Sequence, residues 1–462
     1  MTSSQTKYLA LLPILLICLL IGVSPARFCI IIVLIDIIGI FYFISRRQID
    51  YSFFLVTLAA AFWGPYLAIA SVPSLFLFRL LLPIHLGLFL LNYRKKAINN
   101  EFKYIVLGLA IWILFSAVTI LWSDYPTVSL GSLYFEFEIA YFILFSVYYF
   151  DSLVRIKKAA IVLSINYCVI MLYSLIGEYF LEIHLKFSTA YTSGYDTRPT
   201  GMFVNTNDFA AFISMFFLIF LLSLNRKKLW QRIFAVISTT VLLLIDLLLI
   251  IQTNSRSGFI AFIFILLLLF VKYSKTQNVI FMMMIAVVGM FFRPNNSKIV
   301  DISTLITRVE MTFLGKMDST AERMRIYKYA LHSIAHHPFG VGVGSSQKHV
   351  FYLLNGYMNL PPGNNQSMGM HNFLLAILFD TGFIGLAGFV IILIYMCYRA
   401  SKLFLSTSSY VFSYPLLTLI GFFAASVGSS SIFEMRTVWI AFGLAVAIVI
   451  NREQILKGGQ YV

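Results

Sequence analysis

Apolar residues along the 462-residue chain come in runs long enough to cross a bilayer, separated by short polar linkers. The runs cover roughly 8–24, 28–45, 51–70, 75–92, 104–122, 131–150, 159–181, 208–224, 233–251, 257–273 and 278–292. After a long polar interval they resume at 371–397, 411–428 and 436–450. Spans of about 20 residues are what a hydrocarbon core requires, and the pattern predicts about twelve to fourteen of them. The fold class is therefore all-α, a polytopic integral membrane protein. Its organisation reads as N-terminal helices over 1–181, helices with two polar turns over 182–292, one large loop over 293–370 and C-terminal helices over 371–462.

Composition agrees: 60% of residues are hydrophobic, 11% are charged and the mean hydropathy is +0.88. The net charge of +15 would suit nucleic acid, but its placement reports membrane orientation. Arg46-Arg47, Arg94-Lys95-Lys96, Arg155 with Lys157-Lys158, Arg226-Lys227-Lys228, Lys272 with Lys275, and Arg399 with Lys402 fall on every second linker. By the positive-inside rule those linkers and both termini are cytoplasmic, and the 293–370 loop is exterior. The basic residues then meet anionic headgroups, and no nucleic acid is expected. The N-terminal run reads as the first span, since it continues into a second with no strong cleavage site between them. Cys18, Cys29, Cys168 and Cys397 all lie in apolar runs, which indicates neither disulfides nor a zinc site.

The long loop has internal structure. Ser319-Thr320-Ala321-Glu322 fits a capping box, and the helix it opens carries Arg323, Tyr327, Ala330 and Ile334 on one stripe. It should end at His336-His337-Pro338, because proline disfavours helix in the residue before it. An amphipathic helix lying on the outer leaflet is the expectation. Gly340-Val341-Gly342-Val343-Gly344 reads as a turn or a phosphate-approach loop; it lacks the strand and helix context of a nucleotide fingerprint.

Candidate chemistry gathers at polar–apolar boundaries. His371 and Asn372 stand where the loop enters a helix predicted from Phe373, and a helix start offers unpaired N–H donors to an anion. A neutral imidazole there suits proton abstraction, while a satisfied boundary histidine is the competing reading. Asn372 either orients that imidazole or caps the helix. Arg256 sits in the tight turn Asn254-Ser255-Arg256-Ser257-Gly258, as a snorkelling residue or as a clamp on phosphate. Arg198 precedes Asn205-Thr206-Asn207-Asp208, where Asn205 or Asp208 is the natural cap. Arg323, Arg325 and His337 on the loop helix are substrate-binding candidates against a solvated-surface alternative. Asp36, Arg79, His85 and Asp246 fall within spans, and an Asp36–Arg79 pair is conceivable. His332, His336, His337 and His349 lack companions at ligand spacing, so no metal is assigned.

Four of these pieces, in order, resemble the O-antigen ligase / Wzy polysaccharide polymerase superfamily of bacterial membrane glycosyltransferases. They are Arg198-Pro199-Thr200-Gly201 with Asn205-Thr206-Asn207; Asn254-Ser255-Arg256-Ser257-Gly258; Arg323 through His337-Pro338-Phe339-Gly340-Val341-Gly342; and His371-Asn372 with Gly382 and Gly385. The last matches the motif His-Asn-x9-Gly-x-x-Gly. The likeness covers about residues 195–390; before that only generic spans agree.

The resemblance implies a GT-C-like fold and transfer of a glycan from an undecaprenyl-pyrophosphate carrier to an acceptor hydroxyl. That acceptor is a second repeat unit for a polymerase or lipid A-core for a ligase. It implies a cytoplasmic-membrane location, chemistry at the outer face, no metal, no nucleotide sugar and no cofactor, with a chain-length regulator as a further partner. His371 and Arg256 would be catalytic, and Arg198, Asn205, Asn207, Asn372, Arg323 and His337 would bind substrate. Polymerase is preferred to ligase, because it does not depend on a lipopolysaccharide acceptor. A lipid-linked oligosaccharide flippase is the reading from another class, but the long loop is foreign to it.

Overall fold

The computed structural model describes residues 34–37, 49–69, 72–94, 99–185, 198–224, 228–273, 318–355, 369–429 and 432–459. Long apolar helices dominate. The β-structure among the described residues is one short antiparallel pair, Ala68–Ile69 with Val72–Phe76. Eight described helices are long and apolar enough to cross a membrane, and Leu77–Asn92 and Arg436–Ile450 are shorter apolar helices. The expected spans at 8–24 and 278–292, and nearly all of 28–45, lie outside the described residues. The polytopic helical class stands.

The chain forms two compact units, residues 1–97 with 152–253, and 98–151 with 254–462. In the first, helices α1 (Ile49–Trp63), α2 (Leu77–Asn92), α5 (Leu153–Tyr173), α6 (Thr206–Ser223) and α7 (Leu229–Thr253) pack on one another. One set of polar groups in its interior is paired across helices, as polar groups in hydrocarbon generally are. Trp63 Nε1 donates to Asn166 Oδ1 at 2.7 Å, and Asn166 Nδ2 donates to Asp36 Oδ2 at 2.7 Å. Asp36 thus pairs with Asn166 and not with Arg79, whose guanidinium lies over the Phe76 ring at 4.6 Å. The amide supplies a donor and an acceptor at once, so one residue of α5 satisfies two neighbours.

The second unit holds α3 (Phe102–Thr119), α4 (Pro126–Tyr149), α8 (Arg256–Tyr273), α9 (Asp318–His336), α10 (Ser346–Asn355), α11 (Phe373–Ser406), α12 (Tyr410–Gly428), α13 (Arg436–Ile450) and α14 (Arg452–Gly459). Helix α11 is its axis and packs closely along α3, where Gly108 and Gly388 let the two backbones touch. Without a hydrophobic drive between helices in lipid, such small-residue contacts give the close packing that association needs. Two buried aromatic rings of α11, Phe373 and Phe389, meet Trp112, Phe422 and Trp439.

Helix α9 ends at His336, one residue before the His337-Pro338 pair, as proline chemistry requires. Its apolar stripe is not spread on lipid, as the sequence alone led us to expect. Ile326, Ala330 and Ile334 are buried in a cluster with Val350, Met370, Ala376 and Phe379, so α9 rests on α11 and α10. These partners cover the stripe and leave the opposite face, with Arg325, Lys328 and His332, exposed.

Candidate active site

His371 ends the segment before α11. Asn372 is the cap: its Oδ1 accepts from Leu375 N at 3.0 Å, and the helix starts at Phe373. To enter that cap the backbone turns left-handed at His371, φ 53°, a conformation side chains with a Cβ adopt at a cost of order 1–3 kcal/mol. Tyr327 Oη of α9 donates to the His371 carbonyl at 3.2 Å and holds the turn. The imidazole is hydrogen-bonded by the Ser429 backbone, while Nδ1 is buried and finds no partner among the described residues. Burial, then the nearby Arg323 guanidinium, pushes its pKa down to about 4. The ring is therefore neutral at pH 7 and able to accept a proton.

His371 and Asn372 line a small pocket that is partly open to its surroundings. Phe135, Phe373, Ile432 and Phe433 make an apolar wall, and Ser132, Ser346, Gln347, Ser426 and Ser429 supply polar groups. Concave, mainly apolar and studded with a few convergent polar groups, this is the form of a ligand site. Arg323 and the turn that holds Arg256 meet beside it at the end of α12. Arg323 Nη1 donates to the Val427 carbonyl at 3.3 Å. Ser257, next to Arg256, lies against Gly428, and Ser429 follows. Arg256 is the first residue of α8, after Asn254 in a left-handed turn (φ 56°) and Ser255, whose Oγ accepts from Gly258 N. The structure thus gathers His371, Asn372, Arg323 and the Arg256 turn around one helix end.

Arg198, Asn205 and Asn207 belong to the first unit. Asn205 caps α6, its Oδ1 accepting from Asn207 N and Asp208 N at 3.0 Å each, and its amide donates to Asp208 Oδ2 at 2.9 Å. His337 is exposed just past the end of α9, and its carbonyl accepts from Gly340 N at 2.9 Å.

The glycine run has no amide left for phosphate. Gly340 N donates to His337 O, Val341 N to Phe379 O at 3.1 Å and Gly342 N to Asp380 O at 3.0 Å. Val343 N donates to Thr119 Oγ1, Gly344 N to Asp380 Oδ2, Ser345 N to Gly342 O and Ser346 N to Asp380 Oδ1. A nest needs convergent unpaired N–H groups, and here seven in succession are consumed inside the protein. Of the two readings of this run, it is the structural turn.

What makes room for it is Gly382. Its φ of 62° and ψ of −163° break the helical ladder of α11, which frees the Phe379 and Asp380 carbonyls to accept from the run. Phe383 N donates in return to the Pro338 carbonyl at 3.1 Å. A Cβ at Gly382 would collide with the backbone of Pro338 and Phe339.

Sequence reading missed the buried carboxylates that organise these motifs. Glu178, in the π-helical stretch Ser174–Phe180 that continues α5, accepts from Thr200 N (3.3 Å), Thr200 Oγ1 (3.2 Å) and Gly201 N (2.8 Å), which fixes the segment following Arg198. Glu136 accepts from Ser116 Oγ at 3.0 Å and neighbours Asp380 electrostatically. Arg436, at the head of α13, is buried with its Nε 2.8 Å from Glu138 Oε2 and its guanidinium 5.8 Å from the Phe135 ring centre. The available signal was a carboxylate inside an apolar run, which membrane energetics make costly unless it is paired.

Comparison with known proteins follows the same residues. A family model described as O-antigen ligase matches residues 241–390, a stretch that includes Arg256, Arg323, His337, His371 and Asn372. The teichuronic acid biosynthesis protein TuaE of Bacillus subtilis (strain 168) is 28% identical over 398 residues, 81% of this chain and 79% of that protein. These two matches bear out the resemblance, read first from the motifs, to the superfamily of O-antigen ligases and Wzy-type polymerases of polysaccharide biosynthesis.

Proposed function

We propose that the protein is a polymerase of lipid-linked glycan repeat units. It moves the growing glycan from an undecaprenyl-pyrophosphate carrier to a hydroxyl of the next unit, at the outer face of the cytoplasmic membrane. The observation that carries this reading is His371: neutral, in a left-handed turn, its Nδ1 without a partner among the described residues, in a pocket with Arg323 beside the imidazole. In the reaction the acceptor hydroxyl gives its proton to the imidazole as its oxygen attacks the anomeric carbon. The bond from that carbon to the diphosphate breaks, and the electron pair leaves with undecaprenyl pyrophosphate. Arg256 takes the diphosphate charge, with Arg323 beside the histidine, and Arg198 is a substrate-binding proposal within the first unit; guanidiniums suit these roles because their planar forks match phosphate oxygens. In this reading Asn205 and Asn207 stabilise the turn that presents Arg198, Asn372 presents His371, and His337 meets the glycan at the loop surface. Both termini are cytoplasmic and residues 293–370 form the exterior face of the site.

Polymerase is favoured over ligase because the relative's printed role concerns teichuronic acid, not attachment to lipid A-core. The test is purified protein in lipid with the host's undecaprenyl-pyrophosphate-linked repeat unit, without metal or nucleotide. A ladder of longer glycans, lost in Arg256→Ala and His371→Ala, is the expected result. Transfer only after lipid A-core is added would make the protein a ligase. Movement of carrier between leaflets with no glycan product would make it a transporter.

A further inference from the structure

Asp380 is buried in the core of the second unit, seven residues beyond Phe373, where α11 starts, or about 10 Å along the helix at 1.5 Å per residue. Four donors of the 342–346 segment converge on it. Gly344 N and Ser346 Oγ reach Oδ2 at 2.9 and 3.0 Å, Ser346 N reaches Oδ1 at 2.7 Å, and Gly342 N reaches the Asp380 carbonyl at 3.0 Å. The side chain receives donors only, two from backbone and one from a hydroxyl, a set that suits a carboxylate and not an amide. The residues so held, Val343, Gly344, Ser346 and Gln347, are one side of the pocket, and His371, Asn372 and Phe373 are another. One helix therefore carries the histidine at its start and, through a single carboxylate, the facing wall.

We propose that Asp380 is a positioning residue, which sets the distance between His371 and the opposite wall of the pocket by clamping residues 342–346. The proposal rests on the transferase reading for its kinetic arm only. An acceptor sugar seated against that wall is presented to the imidazole, and misplacement by about 1 Å is enough to cost on the order of 100-fold in rate. Asp380 also lines the pocket, but with three donors from residues 344–346 on its oxygens it is assigned no proton transfer in this scheme.

Two variants test it, Asp380→Asn and Ser346→Ala, each studied in the full-length protein in lipid. Asp380→Asn turns an NH2 group toward donors, whereas Ser346→Ala removes one hydroxyl and leaves both amide bonds. Amide hydrogen exchange of residues 342–346 is expected to rise at least tenfold in Asp380→Asn and less in Ser346→Ala, with α3 and α13 unchanged. For glycan transfer, kcat should fall about 100-fold in the first and about tenfold in the second, with KM for the lipid-linked donor within threefold. The acid limb of the pH–rate profile should stay where it is in the unaltered protein. Unchanged exchange at 342–346 overturns the clamp, whatever the protein's activity. Loss of the acid limb in Asp380→Asn overturns the positioning role and makes Asp380 itself the base. If the unaltered protein transfers no glycan, the exchange result still decides the clamp, and only the transferase reading falls.

Discussion

The two ends of α11 carry arginines in opposite company. Near its C-terminal end, Arg399 and Arg452 converge on one carboxylate, Glu101, which also accepts from Tyr395 Oη at 2.7 Å. Burial pushes the Glu101 pKa up, but the hydrogen bonds from Tyr395 and Arg452 and the two positive charges outweigh it and hold the group ionised below the usual range. At the N-terminal end, Arg323 bonds a backbone carbonyl, and among the described residues no carboxylate pairs with it. Its neighbour His371, whose proton affinity burial already lowers, loses a little more to this charge. With Glu453 Oε1 3.8 Å from Arg452 Nη2, two arginines meet two carboxylates, and this neutralised cluster fastens α3, α11 and α14 together. The second leaves positive charge uncompensated beside a pocket, which is the electrostatic state of a site awaiting an anion.

Breaking the poised end should have the largest effect. His371→Ala is expected to lower kcat by about 10²- to 10⁴-fold, the usual contribution of a general base, while the protein keeps its detergent-solubilised melting profile. Arg256→Ala should follow, with a loss of about 10²- to 10³-fold if it stabilises the leaving diphosphate, read as turnover of lipid-linked donor. At the neutralised end the expectation reverses. Glu101→Gln should leave transfer kinetics within about twofold and cost about 1–3 kcal/mol of stability, seen as a lowered melting temperature, because two arginines lose their partner. Strong loss of activity with unchanged melting would erase the contrast between the ends.

The smallest effect sharpens the comparison through pH. The folded imidazole of His371 stays neutral down to pH about 4, whereas in the unfolded chain it protonates near 6.5. Its contribution to stability is thus present above 6.5 and declines as pH falls from 6.5 toward 4. The acid limb of kcat/KM is expected well below 6.5, nearer 4. Arg323→Ala should move that limb upward by a fraction of a pH unit, since burial is the larger cause and remains. A limb fixed at 6.5 in both proteins would mean that another group governs it.

Local chemistry made part of this legible in advance. The start of α11 after Asn372, the end of α9 before Pro338 and the cap at Asn205 each follow from residues within a turn of the boundary. What stayed hidden depends on partners far along the chain. The donors of the glycine run end on Thr119 and Asp380, 224 and 36 positions from their own residues. Nothing in Gly340–Gly344 itself distinguishes an amide offered to phosphate from one already spent. The α9 stripe was visible as apolar, yet only the tertiary contact decides whether lipid or α11 covers it. The Arg436–Glu138 pair joins α13 to α4 across nearly three hundred residues, beyond the reach of spacing arguments.

The break at Gly382 has a consequence for how such proteins can be recombined. Because the glycine run occupies carbonyls that α11 gives up, loop and helix are complementary halves of one joint. Grafting the 293–370 segment of a relative onto this scaffold would strand those carbonyls in an apolar interior unless the donor loop brings a run of the same length. A workable chimera must therefore carry its crossover past Gly385, inheriting loop and helix break as a single cassette.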